Sequence, residues 1–124
     1  MKVRLLKELR FEAAHRLPNV PPGHKCSRLH GHSFKVELAL YGAVNEQTGW
    51  FIDFGEIDRI WQPVYDVLDH HYLNEVEGLE NPTSEILARW IWNRLKPQLP
   101  TLEKVILHET CDARCEYEGD ETSQ

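Results

Sequence analysis

Two long segments of the chain alternate strictly between hydrophobic and polar side chains, which is the pattern of half-buried β-strands. In residues 2–16 one face is hydrophobic and ends in His15, while the other face is charged. In residues 30–40 the same alternation begins with two histidines. The stretch between them, residues 18–29, holds three prolines and a glycine and is predicted to be a loop.

A later segment places its hydrophobic residues at helical spacing. It covers about Gly55–Leu68, and Asp53 with Glu56 ahead of it resembles a capping box. Pro63 lies inside this segment and predicts either a kink or a later start, because proline has no N–H to donate to the helix ladder.

A second helix and three short strands complete the prediction. Thr83 can cap a helix that runs to about Leu95. The short strands are expected at Trp50–Asp53, hairpinned to the second long strand, at Lys104–Thr110 and at Arg114–Tyr117. Because this order lacks the βαβ alternation of a parallel sheet, the predicted fold class is α+β, an antiparallel sheet with both helices on one face.

Length and composition indicate one ordinary folded domain over residues 1–124, with the acidic tail from Glu118 onward expected to fray. Folding at this size buries only about two-thirds of the unfolded surface, which favours a site shared between subunits over a deep private pocket. No stretch approaches the roughly 20 apolar residues that span a bilayer, and the charged start is unlike a signal peptide. We therefore expect a cytoplasmic protein without a membrane partner.

The charge of the chain limits its partners. A formal net charge of −6 argues against nucleic acid, since phosphate contacts need a basic face. The charge is uneven, with a net +6 in residues 1–35 and a net −12 in residues 36–124. This asymmetry indicates either a small anionic ligand near the basic part or ordinary solvated faces. Three cysteines are too few and odd in number for a disulfide framework, which indicates a reducing compartment.

Three histidines are predicted to meet at one end of the sheet. His15 ends the hydrophobic face of the first strand, and His30 and His32 begin that of the second. Antiparallel pairing brings these side chains together. Three neutral imidazoles with an open fourth position are typical of a catalytic zinc site, and zinc is preferred over iron because no Asp or Glu flanks them. The alternative is that each histidine is a hydrogen-bonded core residue.

Cys26 lies in the proline-bounded loop, four residues before the second strand. A thiol beside a divalent cation and near Lys25 and Arg28 would have a lowered pKa and be a thiolate at neutral pH. It could serve as a fourth zinc ligand, a nucleophile or a general base, and the alternative is an inert buried thiol. Cys111 and Cys115 have the spacing of half a metal site but lack a partner pair, and we interpret them as incidental thiols.

Two further polar features have more than one interpretation. Asp69, His70 and His71 follow the first helix, where a carboxylate that orients an imidazole makes a general acid or base. A helix C-terminus also attracts histidines through its dipole. Glu109 lies on the hydrophobic face of its strand, where it could accept hydrogen bonds from two N–H groups of a ligand or pair within the fold.

Six short motifs occur in a characteristic order along the chain. They are FEAAHRLP around His15, Cys26-x3-HGH, TGWFIDF at 48–54, LDHHYLN at 68–74, ENPTSE at 80–85 and His108-Glu109-Thr110. Together they resemble the 6-pyruvoyl-tetrahydropterin synthase family over roughly residues 9–110. The three-residue gap between the cysteine and HGH best matches its bacterial branch, the 6-carboxy-5,6,7,8-tetrahydropterin synthases of queuosine biosynthesis. Ser33 and Phe34 depart from the Asn-Tyr pair that the family often has after HGH.

The resemblance implies a tunnelling fold: a four-stranded antiparallel sheet with two helices on one face, whose subunits join their sheets into a β-barrel. Such trimers usually pair as hexamers with active sites between subunits. By the same resemblance, His15, His30 and His32 match the zinc ligands of the family. Cys26 matches the residue that abstracts a proton, and Asp69 and His70 match a proton relay. Glu109 matches the residue that anchors the pterin and is also counted with the catalytic relay.

The implied activity is the zinc-dependent conversion of 7,8-dihydroneopterin triphosphate to 6-carboxytetrahydropterin, with loss of acetaldehyde and triphosphate. Arg16, Lys25 and Arg28 are candidates for triphosphate contacts, because they lie in the basic part of the chain. The alternatives are formation of 6-pyruvoyl-tetrahydropterin within the same family, and a noncatalytic module that binds a pterin or a metal.

Overall fold

The two long alternating segments form the central pair of strands. In the structure, a computed structural model that describes residues 1–110 and 112–120, β1 (Lys2–His15) pairs antiparallel with β2 (His30–Ala43). The register sets the last residue of β1 opposite the first residue of β2. The hydrophobic side chains of both strands and the three histidines therefore share one face of the sheet.

Two helices and three shorter strands follow. They are α1 (Phe54–Leu68), β3 (His71–Tyr72), α2 (Ser84–Leu95), β4 (Leu102–Thr110) and β5 (Ala113–Tyr117). Short 3₁₀ turns cover Lys25–Ser27 and Leu73–Glu75. The strand order in the sheet is β3-β1-β2-β4-β5, and neighbouring strands are antiparallel except β3, which runs parallel to β1.

The hydrophobic core lies between one face of the sheet and the two helices. Phe11 and Leu107 of the sheet form one buried cluster with Ile57 of α1 and Ile91 of α2. The opposite face of the sheet carries exposed charged side chains such as Arg10 of β1. The predicted α+β class, with both helices on one face, is confirmed. Burial of this hydrophobic surface is the main favourable contribution to folding.

Both helices begin at the residues predicted to cap them. The side chain of Asp53 accepts a hydrogen bond from the backbone two residues on, and that of Thr83 accepts one from the backbone three residues on. Glu56, the other half of the predicted capping box, forms an ion pair with Arg59. The helix α1 continues through Pro63, so a start beyond this proline is wrong.

The predicted third strand at Trp50–Asp53 is wrong. These residues form a loop, joined to the preceding turn by a hydrogen bond from Asn45 N to Trp50 O of 2.9 Å. Phe51 and Ile52 both pack against the core, whereas consecutive side chains of a strand point to opposite faces. The ring of Phe51 covers Gly42 so closely that a Cβ there would collide with it.

The sheet has five strands in the described residues, whereas the family resemblance implies four. The strand β3 lies where the sequence pattern predicts no strand, and it pairs with Ala13 and Ala14 of β1. A strand of two residues is too short to produce an alternating pattern, and its position depends on where α1 ends.

The end of the chain is described only in part. Cys111 and residues 121–124 lie outside the described residues, so the interpretation of Cys111 stays a prediction. Within the tail that we expected to fray, the Glu118 carboxylate lies 3.4 Å from Lys104 Nζ, and Asp120 accepts a hydrogen bond from the Tyr117 hydroxyl at 2.9 Å. In the part of the chain that the structure describes, no helix has the length and hydropathy needed to cross a membrane.

Candidate metal centre and its surroundings

The three histidines lie together at the end of the β1–β2 pair. His15 is directly opposite His30, and His32 follows on the same face of β2. The centroids of the three rings are 4.6 to 5.1 Å apart. One ligand nitrogen from each ring lies within 4.8 Å of the other two. The predicted convergence of these side chains is confirmed.

Backbone carbonyl groups orient two of these rings. His15 Nδ1 lies 2.9 Å from the carbonyl oxygen of Pro82, and His30 Nδ1 lies 2.7 Å from that of Arg28. A carbonyl oxygen can only accept, so each Nδ1 carries the proton and donates it. With Nδ1 donating, the neutral form of each ring carries its lone pair on Nε2, which is the arrangement of metal-ligating histidines in proteins.

Two of the remaining nitrogens are buried. Among the described residues, Nε2 of His15 and Nε2 of His32 have no hydrogen-bond partner. Burial is the main cause that lowers the pKa of both imidazoles, and it outweighs the opposing influence of the Glu109 carboxylate. Both rings are therefore neutral at pH 7, which is the form that binds a metal ion.

This donor set fits a metal ion. Three imidazoles converge, and two of their nitrogens would be unsatisfied buried polar atoms without a ligand, which costs free energy. Imidazole ligands suit zinc, copper, iron and nickel, and three protein ligands leave a coordination position for another group. The cluster could hold a divalent ion through His15, His30 and His32.

Glu109 lies beside this cluster. Its carboxylate oxygens are 3.9 Å from His15 Nε2 and 3.7 Å from His32 Nε2, and the Ser84 hydroxyl donates a hydrogen bond to it at 3.0 Å. The carboxylate is half-buried and borders a cavity of about 200 Å³, which Cys115 also lines. One oriented carboxylate at the mouth of a cavity can accept further hydrogen bonds from a ligand.

Cys26 occupies the 3₁₀ turn Lys25–Ser27, at the same end of the sheet. Its carbonyl oxygen accepts a hydrogen bond of 2.7 Å from Leu17 N, two residues beyond His15. The side chain is half-buried. In the described part of the chain, the ligand atoms that lie within 4.8 Å of one another belong to His15, His30 and His32. The thiol of Cys26 is not among them.

Asp69 and His70 form a hydrogen-bonded pair on the outer edge of β1. His70 Nδ1 lies 2.6 Å from Asp69 Oδ2, while Asp69 Oδ1 accepts a hydrogen bond from Glu12 N at 2.9 Å. The backbone hydrogen bond from Glu12 and then the bond to His70 lower the pKa of Asp69, and Asp69 raises the pKa of His70. The carboxylate thus favours the protonated ring.

The backbone of His70 is unusual. Its φ of 57° lies in the left-handed region, which side chains with a Cβ seldom adopt, and its N–H donates to Glu12 O at 2.5 Å. This conformation costs free energy, and strained residues of this kind cluster at functional sites. His71, the neighbouring imidazole, instead bonds through Nδ1 to the carbonyl oxygen of Asp69 at 2.8 Å.

The three basic residues proposed for anion contacts adjoin the histidine cluster or the Cys26 turn along the chain. Arg16 follows His15 directly, Lys25 is the first residue of the turn and Arg28 follows its last, and all three are exposed. The backbone carbonyl of Arg28 is the one that orients His30, so this residue has a structural contact in addition to its charge.

The sequence did not identify the residues that hydrogen-bond to the side chains and backbone of the site and support them. Pro82 and Ser84 contact His15 and Glu109, although the sequence suggested only that their motif starts a helix. Asn74 is a further example. Its Oδ1 accepts a hydrogen bond from Arg16 N, and its Nδ2 donates to the carbonyl oxygens of Arg16 and Glu80. The ENPTSE and LDHHYLN motifs contain these residues. However, hydrogen bonds between residues that are 58 or 67 positions apart leave no local pattern in the sequence.

Comparisons with known proteins agree with this geometry. A family model described as 6-pyruvoyl tetrahydropterin synthase matches residues 4–120. The chain belongs to the 6-pyruvoyl tetrahydropterin synthase family. Membership extends beyond the motifs, because the match includes nearly every strand and both helices.

Curated relatives resemble the chain along most of its length. A Synechocystis protein named 6-carboxy-5,6,7,8-tetrahydropterin synthase is 40% identical over 119 residues, with 91% of each chain covered. A Pyrococcus furiosus protein named dihydroneopterin monophosphate aldolase is 33% identical over 100 residues, with 81% of each chain covered. Relatives of this chain are thus named for more than one pterin reaction.

A solved structure of the same family has the same fold. The structure of Caenorhabditis elegans 6-pyruvoyl tetrahydropterin synthase superimposes with a TM-score of 0.89 at 27% identity, and 97% of each chain is covered. The chain therefore has the subunit fold of this family, one sheet with two helices packed on one face.

Proposed function

We propose that the protein is a zinc-dependent 6-carboxy-5,6,7,8-tetrahydropterin synthase. It converts 7,8-dihydroneopterin triphosphate and one water molecule to 6-carboxytetrahydropterin, acetaldehyde and triphosphate, a step in queuosine biosynthesis. The observation that carries the proposal is the cluster of three imidazoles, two of which have a buried Nε2 with no hydrogen-bond partner among the described residues. The name of the Synechocystis relative and the short gap between Cys26 and HGH favour the carboxy branch.

The metal would be held by His15, His30 and His32. When bound, a zinc ion supplies a Lewis acid next to the side chain of the substrate. The carbonyl groups of Pro82 and Arg28 keep the imidazole rings of His15 and His30 in the orientation and tautomer that this requires.

The remaining residues bind the substrate and move protons. The Glu109 carboxylate accepts hydrogen bonds from the 2-amino and N3 hydrogens of the pterin ring. The Cys26 thiolate removes a proton from the substrate side chain, and the Asp69–His70 pair returns or relays one, which moves unsaturation from the ring to the side chain. Arg16, Lys25 and Arg28 are proposed to contact the triphosphate.

The active site is proposed to lie between subunits of a homo-oligomer, a hexamer built from two trimers. His70 is 77% exposed at the sheet edge, whereas the metal ligand His15 is fully buried. Trp50 and Phe54 are large exposed hydrophobic side chains on the same molecule, as is common at subunit interfaces. From residue 2 to residue 11, the outer edge of β1 has no strand paired with it in the described structure and is open to a strand of another subunit.

The decisive experiment combines metal analysis with product identification. Purified protein is expected to hold zinc and to convert dihydroneopterin triphosphate to 6-carboxytetrahydropterin and acetaldehyde, identified by mass spectrometry. Cys26→Ala is expected to keep zinc but lose turnover. Full activity of Cys26→Ala would exclude the thiolate as the base, and an active metal-free protein would exclude the zinc mechanism.

The same assay separates the alternatives. A 6-pyruvoyl product without acetaldehyde would assign the protein to the pyruvoyl branch. Absence of turnover with retained zinc and pterin binding would indicate a noncatalytic module. Dihydroneopterin monophosphate is included as a second substrate, because the Pyrococcus furiosus relative is named an aldolase of that compound.

Mixing of subunits tests the shared site. His30→Ala and His70→Ala are each expected to be inactive, since one lacks a metal ligand and the other lacks the relay imidazole. If each site takes these residues from different subunits, refolding the two variants together restores part of the activity. A mixture that assembles but stays inactive would place all residues of a site in one chain.

A further inference from the structure

His24 is a histidine without a role in the reaction proposed above, yet it holds the turn that carries Cys26. It precedes the 3₁₀ turn Lys25–Ser27 and caps it. Its Nδ1 accepts a hydrogen bond from Cys26 N at 3.0 Å. Its carbonyl oxygen accepts two more, from Ser27 N at 3.0 Å and from Ser27 Oγ at 2.7 Å. Both the side chain and the backbone of His24 therefore bind the turn.

The backbone of Cys26 is held on both sides. Its N–H donates to the His24 ring, and its carbonyl oxygen accepts from Leu17 N at 2.7 Å. Leu17 follows the end of β1, so this second bond ties the turn to the strand that bears a metal ligand. The His24 bond is the one that a single side-chain substitution can remove.

The chain before His24 is shaped for this contact. Gly23 has a φ of +86°, a conformation that residues with a Cβ rarely adopt, and His24 N donates to Pro21 O at 3.1 Å. This tight bend in the proline-rich loop precedes the imidazole that reaches the N–H two residues on. A nitrogen that accepts must carry a lone pair, so in this contact the ring proton lies on Nε2.

We propose that His24 is the positioning residue of Cys26, which holds the thiol in line with the substrate while taking no part in the chemistry. The inference rests on the proposed function, because the role of Cys26 as a base belongs to that proposal. Loss of this contact lets the turn relax, and a displacement of about 1 Å at a reacting group can lower a rate about 100-fold. The zinc ligands are anchored in β1 and β2 and are not affected.

Two substitutions test this role. In His24→Asn, Oδ1 stands at the same number of bonds from Cα as Nδ1 and can accept from the N–H two residues on, whereas His24→Ala has no acceptor. We expect His24→Ala to lower kcat about 10- to 100-fold with KM nearly unchanged, and His24→Asn to restore most of kcat. Amide hydrogen exchange at Cys26 should be faster in His24→Ala and protected again in His24→Asn.

The matched control is Asn19→Ala, an exposed residue of the same loop, which is expected to keep wild-type kcat. All variants are compared as zinc-loaded, full-length protein, with zinc content measured. Wild-type kcat in His24→Ala, or a His24→Asn variant no better than His24→Ala, would overturn the inference. So would loss of zinc or a rise in KM alone, since these indicate a general structural role or a binding role.

Cys26→Ala is assayed in parallel to separate the two proposals. If Cys26→Ala is inactive while His24→Ala is normal, only the positioning role fails. If Cys26→Ala is fully active, the proposed base itself is wrong, whatever the His24 variants do.

Discussion

Single backbone carbonyl groups decide which nitrogen of an imidazole is available at this site. The carbonyls of Pro82 and Arg28 each accept a hydrogen bond from Nδ1 of one histidine, so in the neutral ring Nε2 carries the lone pair. His32 and His15 keep buried Nε2 atoms without a hydrogen-bond partner among the described residues. A cluster of this kind is stabilised by a metal ion, because the ion satisfies atoms that are otherwise costly to bury.

Removal of one imidazole is expected to remove the metal. His30→Ala leaves two ligands, so we expect loss of bound zinc, measured by atomic absorption after dialysis. His71→Ala is the matched control, since that imidazole is exposed and lies outside the cluster. Retention of a full equivalent of zinc by His30→Ala would contradict the proposed ligand set.

The Asp69–His70 pair predicts a change in titration. The Asp69 carboxylate raises the pKa of His70 by accepting a hydrogen bond from its Nδ1–H. Asp69→Asn should therefore lower the pKa of His70 toward the ordinary value of about 6.5. The measurement is an NMR titration of the His70 ring, assigned with His70→Gln. An unchanged midpoint would show that the pair does not form in solution.

At the scale of elements, the first turn of α2 does more than begin a helix. Its cap, Thr83, lies between Pro82, whose carbonyl orients His15, and Ser84, whose hydroxyl binds Glu109. Three successive residues therefore connect the helix start to the metal cluster and to the carboxylate beside it. The position of α2 on the sheet sets the geometry of the site.

Thr83→Ala should affect both stability and metal binding. Loss of the bond from Ile86 N is expected to cost about 1 kcal/mol of unfolding free energy, as for other helix caps. Because the Pro82 carbonyl moves with this turn, zinc affinity should fall as well. Urea unfolding and competition with a chelator measure the two effects, and Thr83→Ser should recover both. Identical behaviour of the Ala variant and the wild type would refute this coupling.

At the scale of the whole molecule, burial of the histidines makes the stability of the metal-free fold depend on pH. Burial lowers the pKa of His15 and His32, so the unfolded chain binds more protons than the folded one below pH 6.5. The contribution of these rings to the free energy of unfolding is fully present above about pH 6.5 and is lost as the pH falls through their folded-state pKa values.

Urea unfolding of the metal-free protein at several pH values measures this dependence. We expect the midpoint to fall between pH 7.5 and pH 5, and to fall less steeply in His15→Gln, which has no buried imidazole at that position. His70 acts in the opposite sense, because its raised pKa favours the folded state at low pH. A midpoint that does not change over this range would contradict neutral buried histidines.

Much of the fold was predictable because its signals are local. The alternation in β1 and β2 has a period of two, and it fixed both the buried face and the position of the histidines on it. Asp53 and Thr83 bind backbone N–H groups within three residues, so their caps needed no knowledge of distant contacts. Even the ligand cluster followed from antiparallel pairing of two neighbouring strands.

The incorrect predictions concern segments whose conformation depends on distant partners. Residues 50–53 contain the residue types of a strand, but Phe51 and Ile52 both pack toward the core and so cannot alternate. The strand β3 exists because α1 ends beside the edge of β1, and two residues have no periodicity to detect. In both cases the tertiary packing overrode the local pattern.

The amino-acid sequence by itself determined which strand faces are buried, where the helices begin and which three imidazoles share a face. Each of these depends on backbone periodicity or on hydrogen bonds between near neighbours. Only the tertiary structure decided which nitrogen of each ring is free, how Glu109 lies beside the cluster and which edge bears Asp69 and His70. These depend on hydrogen bonds between groups far apart in the chain, such as His15 and Pro82, which exist only after folding brings them together.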